Sequence, residues 1–253
     1  MKLQCSAVIM GVESARGLSA TLARHCATQG LHVYIAGRNV TTLQIVADGI
    51  LSNGGKVSPI VADASQEYDL DHLFDIIHFE GSTLQLAIYN VDSNIPASIL
   101  ATDTEILTAL WQQNCLGAFL FAKEVIACMQ ANNSGSLFFT GATDTLDTKL
   151  PFTAATSVQT ELKSFVQNLA KEFSAKGIHI VHANIDSAFN SKQITPHFPG
   201  YYPEKDQQSL LTLAAIAETY WTVHQQVPSV WVHEFELKPF EMSFQDMSIK
   251  HQL

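Results

Sequence analysis

The sequence lacks several patterns that would point to a membrane protein or to common hydrolytic chemistry. It contains no run of eighteen apolar residues, so no membrane-spanning helix is expected. It has no H-E-x-x-H pattern, no P-loop lysine and no G-x-S-x-G turn. The first residues, MKLQCSAVIMG, are too short and too strand-like for a signal peptide. We therefore expect a cytoplasmic protein with no membrane partner.

Cysteine and basic residues are also scarce. The basic residues number 14 against 24 acidic ones, for a net charge of −10. Such a surface repels phosphate backbones, so we expect no nucleic-acid partner. His179 and His182 fall three apart on a predicted strand and face opposite sides, which predicts no metal site. The four cysteines are Cys5, Cys26, Cys115 and Cys128, and none of them forms a C-x-x-C pair. We expect all four to be buried, reduced thiols.

The sequence does contain a regular alternation of apolar strands and amphipathic helices. Ser6–Val12 reads as a buried strand, Ala15–Gln29 as a helix ended by Gly30, and His32–Ala36 as a second strand. Such a βαβ unit implies a right-handed crossover and parallel strands. The same alternation predicts helices at Thr41–Leu51, Glu67–His78, Thr104–Asn132, Phe152–Ala175 and Leu210–Thr222, and strands at Lys56–Val61, Leu84–Tyr89, Ser136–Thr140, Ile178–Ala183 and Val230–Leu237.

This alternation predicts one α/β domain over residues 1–253. We expect a Rossmann-type, doubly wound parallel sheet of about seven strands with helices on both faces.

Two loops at the ends of predicted strands have features of a dinucleotide site. The first strand is followed by GVESARGLS, from Gly11 to Ser19. Glycines let a backbone approach a pyrophosphate, and the helix start supplies N–H donors. Arg38 follows the second strand, where an arginine accommodates a 2′-phosphate. The pattern favours NADP(H) over NAD(H). The alternative is a turn without a ligand and two solvated arginines, Arg16 and Arg38.

Three strings, together with the architecture, resemble the short-chain dehydrogenase/reductase family. They are NCLGAF at Asn114–Phe119, FTGAT at Phe139–Thr143 and LAKEFSAKGIHI at Leu169–Ile180. The resemblance implies a small-molecule substrate beneath a lid at residues 187–203. The family pattern G-x-x-x-G-x-G is only partly kept. The spacing of Gly11 and Gly17 resembles the longer loop of the enoyl-acyl-carrier-protein reductase branch.

The resemblance also implies where a cofactor would bind. In the family, an aspartate at the Asp63 position meets the adenine amino group, and Asn190 falls where a threonine bonds the nicotinamide amide. Asp92 replaces a glycine beside the cofactor ribose, and its charge opposes a pyrophosphate. The cofactor-binding positions implied are Gly11, Ser14, Arg16, Gly17, Leu18, Arg38, Asp63, Asn90 and Asn190.

The positions that carry proton transfer in the family hold other residues here. The Tyr, Lys and Ser positions are Ala155, Gln159 and Ala142, and Phe152 takes the alternative tyrosine position of the enoyl reductases. A positioned general acid contributes about 10²–10⁴ in rate. The sequence therefore predicts weak or altered NADP(H)-dependent oxidoreductase activity. The alternative is a non-catalytic dinucleotide-binding sensor or scaffold protein.

A few residues could still serve catalysis. Asn114 matches the family's relay asparagine, although a buried asparagine that supports its own helix is the alternative. Thr143 lies beside the Ser position and could hydrogen-bond a substrate. Lys163, one turn beyond Gln159, is expected to be solvated, and Tyr201 or Tyr202 in the lid could turn inward.

The long predicted helices bear on assembly. In the family, two such helices pack against a second subunit, so Thr104–Asn132 and Phe152–Ala175 imply a homodimer or homotetramer. The first helix carries a predicted apolar stripe through Leu107, Leu110, Trp111, Leu116, Phe119 and Val125.

Overall fold

The structure, a computed structural model, describes residues 4–91, 99–142, 153–185 and 211–238. The strands are β1 (Cys5–Met10), β2 (His32–Gly37), β3 (Lys56–Val61), β4 (Thr83–Tyr89), β5 (Gly135–Ala142), β6 (Ile178–Ile185) and β7 (Glu234–Leu237). The helices are α1 (Leu18–Thr28), α2 (Val40–Ser52), α3 (Glu67–Phe79), α4 (Thr104–Trp111), α5 (Gly117–Gln130), α6 (Thr153–Phe173) and α7 (Leu213–His224).

The strands form one parallel sheet in the order β3-β2-β1-β4-β5-β6-β7. Every neighbouring pair is parallel, and β1 at the centre pairs with β2 and β4. The strand order reverses direction at β1, which is the arrangement of a doubly wound sheet. The predicted fold class is confirmed. All seven strands therefore end at the same edge of the sheet.

Both faces of the sheet are covered by helices. Val8 and Met10 of β1 pack into a core with α3, α5 and α6, whereas Ala7 and Ile9 pack into a second core with α1, α2 and α7. Burial on both faces explains why the central strands read as continuous apolar runs. Among the described helices, none is both long and apolar enough to cross a bilayer.

The long helix after β4 differs from its prediction. It is interrupted by a π-helical segment, Gln112–Leu116, between α4 and α5. A wider turn shifts the side chains that follow it around the helix axis. The predicted single apolar stripe is wrong on both sides of this segment. Leu110 and Val125 are buried, whereas the exposed fractions of Leu107, Trp111 and Phe119 are 43%, 41% and 52%.

Strand β7 is shorter than predicted. The expected strand began at Val230, but the ladder begins at Glu234. The Val232 N–H donates to the Gln226 side chain at 2.9 Å, and the Trp231 indole donates to the Gln226 carbonyl. The Trp231 ring also stacks on His179 at 4.7 Å between ring centroids. Side-chain contacts to Gln226 and His179 therefore hold Trp231 and Val232 in place of ladder hydrogen bonds.

All four cysteines carry free thiols. Cys26 and Cys115 are buried, as expected, but Cys5 and Cys128 are only half-buried. Burial raises the pKa of the Cys26 thiol to about 12, so this thiol stays protonated and unreactive at neutral pH.

His182 is a buried polar group in the layer between the sheet and α6. It is 2% exposed, and neither ring nitrogen has a hydrogen-bond partner among the described residues. It lies on the face opposite to His179, as the strand period predicts. Burial lowers the pKa of His182 to about 4, against the opposing effect of Glu234 and with a smaller lowering from Lys163. The ring is therefore neutral in the folded protein at pH 7.

His182 should make stability depend on pH. In the unfolded chain a histidine pKa is about 6.5, so between about pH 6.5 and 4 the unfolded state binds a proton that the folded state excludes. The free energy of unfolding should thus fall with decreasing pH across this range, by up to about 1.4 kcal/mol per pH unit for this site. Chemical denaturation of the wild type and His182→Leu at several pH values measures the slope.

We expect His182→Leu to reduce this slope and to be no less stable at about pH 7.5, because it removes two unpartnered buried nitrogens. His72→Leu, at an exposed position on α3, is the matched control and should keep the wild-type slope. An unchanged slope in His182→Leu would contradict the assignment.

Candidate functional site

The loops that follow β1, β2, β3 and β4 meet in one row at the carboxyl edge of the sheet. The N–H groups of Gly11 and Val12 both donate to the Ala36 carbonyl, at 2.9 and 3.0 Å. Asn90 N–H donates to the Met10 carbonyl, and Ala62 N–H donates to that of Gly37, each at 3.0 Å. These bonds bring together all the predicted cofactor-binding residues that the structure describes.

A close approach between the loops after β1 and β4 organises this row. Gly11 has a φ of +97°, and a Cβ placed on it would lie 2.2 Å from the Asn90 carbonyl oxygen. The Ser19 hydroxyl donates to the Gly11 carbonyl at 2.7 Å and accepts from the Asn90 side chain at 2.6 Å. Ser19 is a site residue that sequence reasoning did not single out. The sequence feature that could have identified Ser19 is its position two residues after Gly17, at the end of the glycine pattern.

As far as the described residues extend, the start of α1 is open to a ligand. Gly17 immediately precedes the helix, whose first turn has no acidic residue and no side-chain cap. A Cβ placed on Gly17 would lie only 3.3 Å from the Ser14 Cβ, so the missing side chain lets the loop fold closely against the helix start. Ser14 accepts from the Arg16 N–H at 3.3 Å, Arg16 is exposed, and Leu18 is buried beneath the turn. An uncapped helix start of this kind offers N–H donors and a positive dipole end to an anion.

Arg38 reaches back to the loop after β1. Its Nε donates to the Oε1 atom of Glu13 at 3.2 Å, and its backbone N–H lies 3.5 Å from the same oxygen. Both side chains are about half exposed, at 56% for Arg38 and 46% for Glu13. The predicted phosphate-binding cation is therefore already paired with a carboxylate.

Asp63 follows β3 and is held in its ionised form. Its Oδ1 atom accepts from the Ser65 N–H at 2.9 Å, from the Ser65 hydroxyl at 2.7 Å and from the Gln113 amide at 3.1 Å. Burial acts to raise the pKa of Asp63, but these hydrogen bonds and the charge of Arg38 outweigh it and lower the pKa. The carboxylate is a fixed hydrogen-bond acceptor at neutral pH.

The catalytic positions of the resemblance lie beside the π-helical segment. Ala155 and Gln159 on α6 are buried, at 4% and 6% exposed. The Gln159 side-chain amide donates to Asn114 Oδ1 at 3.2 Å, and the Asn114 amide donates to the Leu110 carbonyl at 2.9 Å. Gln159 Oε1 is buried and has no partner among the described residues. Amide groups accept and donate hydrogen bonds but do not transfer protons at neutral pH.

Lys163 is directed away from these positions. Its ammonium group bonds to Glu234 Oε1 on β7, and the side chain is 44% exposed. The expectation that it is simply solvated was incomplete, because it belongs to an ion pair. Lys163 therefore does not replace the cation missing at Gln159.

Several predicted site residues lie outside the described residues. They are Asp92, Thr143, Phe152, Asn190, Tyr201 and Tyr202, together with the lid at 187–203. Within the described ranges, no group of three or more histidine, cysteine or acidic side chains could hold a metal ion.

Comparisons with known proteins agree with this architecture. A family model described as short chain dehydrogenase matches residues 6–188. The mouse protein "Dehydrogenase/reductase SDR family member 1" is 29% identical over 102 residues, which cover 39% of this chain but only 33% of the mouse protein. The chain thus spans about a third of that relative's length.

Two solved structures show the same fold over nearly the whole chain. A short-chain dehydrogenase from Rhodopseudomonas palustris is 26% identical, with a TM-score of 0.79 and coverage of 93% of this chain and 99% of that one. An alcohol dehydrogenase from the archaeon Thermococcus sibiricus, solved with 5-hydroxy-NADP, is 17% identical, with a TM-score of 0.80 and coverage of 94% and 97%. From the match over residues 6–188 and this shared sheet, the chain belongs to the short chain dehydrogenase family.

Proposed function

We propose that this protein binds NADP(H) at the carboxyl edge of β1 to β4 and acts as an oxidoreductase of weak or altered activity. The observation that supports dinucleotide binding is the open start of α1, with Arg38 and Asp63 at the neighbouring strand ends. An open helix start suits a pyrophosphate, Arg38 suits a 2′-phosphate, and ionised Asp63 suits the adenine amino group. The Thermococcus enzyme, solved with 5-hydroxy-NADP, has the same fold.

The residues at the family's catalytic positions favour weak turnover over the ordinary turnover of the family. A bound dinucleotide supplies the hydride, and the chain must supply the proton and the orientation of the substrate. Gln159 Oε1, which no described residue contacts by a hydrogen bond, is an acceptor that suits a ribose hydroxyl, in place of the lysine of the family. The Asn114–Gln159 amide pair positions groups but donates no proton. The same pair favours a second candidate function, a non-catalytic dinucleotide sensor or scaffold.

The binding step is tested by titrating the wild type with NADPH and with NADH. For a dissociation constant of about 100 μM, about 1 mM ligand adds about 1.4 kcal/mol to the free energy of unfolding. The melting temperature should then rise by a few degrees, more for NADPH than for NADH. No shift with either dinucleotide would remove the proposal. A shift without oxidation or reduction of any carbonyl or alcohol in a panel would favour the sensor.

Restoring the missing groups tests whether the loss of activity lies at these positions. Ala155→Tyr with Gln159→Lys should raise carbonyl reduction by about 10²-fold or more, because a positioned acid and its cation act together. Ala155→Tyr alone is the control and should gain less, since no ammonium group lowers the tyrosine pKa. Melting temperature and NADPH binding confirm that each variant is folded. A folded double variant that binds NADPH but gains no activity would contradict this explanation.

We also propose that the protein forms a homodimer or homotetramer through α4, α5 and α6. Trp111 and Phe119 are exposed, yet both contact α6. The Trp111 indole donates to Glu161 at 3.0 Å, and the Phe119 ring lies 6.2 Å from that of Phe165. The two side chains beside α6 and the exposed Leu107 make up the proposed interface face, because exposed apolar groups are typical of an interface. The small-molecule substrate and the cytoplasmic location remain predictions.

A charge on this face should separate the subunits. Phe119→Glu places a carboxylate where an apolar surface would be buried, so sedimentation should show a monomer or a strongly weakened oligomer. Phe79→Glu is the matched control, because Phe79 is 92% exposed at the end of α3. It should leave the assembly unchanged. A monomeric wild type, or equal effects of the two variants, would overturn this interface.

A further inference from the structure

The pairing of Glu13 with Arg38 results from how the first loop is built. Val12 is buried, and a Cβ placed on Gly37 would lie 2.7 Å from the Val12 carbonyl oxygen. The missing side chain of Gly37 thus lets the first loop lie against the end of β2. The residue after Val12 is then held beside the residue after Gly37. The Glu13 carboxylate accepts both the guanidinium Nε and the backbone N–H of Arg38.

Arg38 is the cation that a 2′-phosphate would need, and its charge is already shared. Besides Glu13, the ionised Asp63 is near enough for the charge of Arg38 to lower its pKa. Arg16, in the same loop, is exposed, and its side chain has no ion pair among the described residues. A 2′-phosphate bound at Arg38 must displace the Glu13 carboxylate and then remain close to it. Both steps weaken binding, because the two groups compete for the same N–H donors and carry like charge.

We propose that Glu13 occupies the 2′-phosphate position at Arg38 and thereby makes NADP(H) bind more weakly than it would to an unpaired Arg38, while leaving the affinity for NAD(H) unchanged. This inference rests on the proposed binding of a dinucleotide at this edge. Glu13 is then a specificity-determining residue, held there by the close approach of Val12 to Gly37. A ligand without a 2′-phosphate leaves the Glu13–Arg38 pair intact.

The test compares Glu13→Gln with the wild type, using four ligands: NADPH, NADH, 2′,5′-ADP and 5′-AMP. The glutamine keeps the shape of the side chain and removes its charge. Exposed ion pairs contribute up to about 1 kcal/mol, and the lost repulsion adds to this, so NADPH and 2′,5′-ADP should bind about 3- to 10-fold more tightly. Affinities for NADH and 5′-AMP should stay within about twofold.

The matched control is Glu172→Gln. Glu172 also forms an exposed ion pair, with Lys176 at 3.9 Å, but it lies near the end of α6, which leads into the amino end of β6. Glu172→Gln changes the net charge by the same amount as Glu13→Gln, and it should not measurably alter the affinity for any of the four ligands. Melting temperatures without ligand show whether each variant is folded.

The outcomes separate this inference from the proposed function. Tighter binding of only the 2′-phosphorylated ligands supports it, including the case in which Glu13→Gln binds NADPH and the wild type does not. Equal changes for all four ligands, or no change, would overturn it while dinucleotide binding stands. Weaker NADH binding alone would also overturn it, because Glu13 would then hold the ribose 2′-hydroxyl. If no nucleotide binds any variant, both the inference and the proposed function fail.

Discussion

The candidate site depends on how closely three pieces of backbone approach one another at the end of the sheet. Gly11 has no side chain to keep the Asn90 carbonyl away, and Gly37 has none to keep the Val12 carbonyl away. The Ser19 hydroxyl then bridges the first loop and the loop after β4 with two short hydrogen bonds. These contacts hold the first loop against the ends of β2 and β4, so that Glu13 lies beside Arg38 and the start of α1 lies beside Asn90.

The two ends of the site differ in how well they suit family chemistry. At the nucleotide end, an open helix start, an arginine and an ionised aspartate keep the features that recognise a dinucleotide. At the reacting end, the two polar side chains that the structure describes at the family's catalytic positions, Asn114 and Gln159, are amides. The Asn114–Gln159 bond satisfies one donor of Gln159 and leaves its oxygen as an acceptor. Binding and proton transfer thus depend on separate residues, and a chain can retain the first after losing the second.

Much of the fold could be predicted because its signals are local. Strands buried on both faces must be apolar throughout, so β1, β2 and β4 were evident in the sequence. The Lys56–Val61 strand was predicted with its observed bounds. The π-helical segment and the short β7 could not be predicted in this way. The first depends on packing between the long helix, β4 and α6. The short β7 depends on the Trp231 ring stacking on that of His179, which lies 52 positions earlier in the chain.

By itself, the sequence determined the order of strands and helices, the parallel sheet and which loops stand at its carboxyl edge. Those follow from hydrophobic period and from the handedness of the crossover, which need no long-range contact information. Through the family resemblance it also predicts that Ala155 and Gln159 stand at the tyrosine and lysine positions. Only the tertiary structure decided that Glu13 meets Arg38, because 25 residues and a whole helix separate them. The physical reason is that a side-chain pair between neighbouring strand ends depends on the path of each loop, and no local pattern encodes that path.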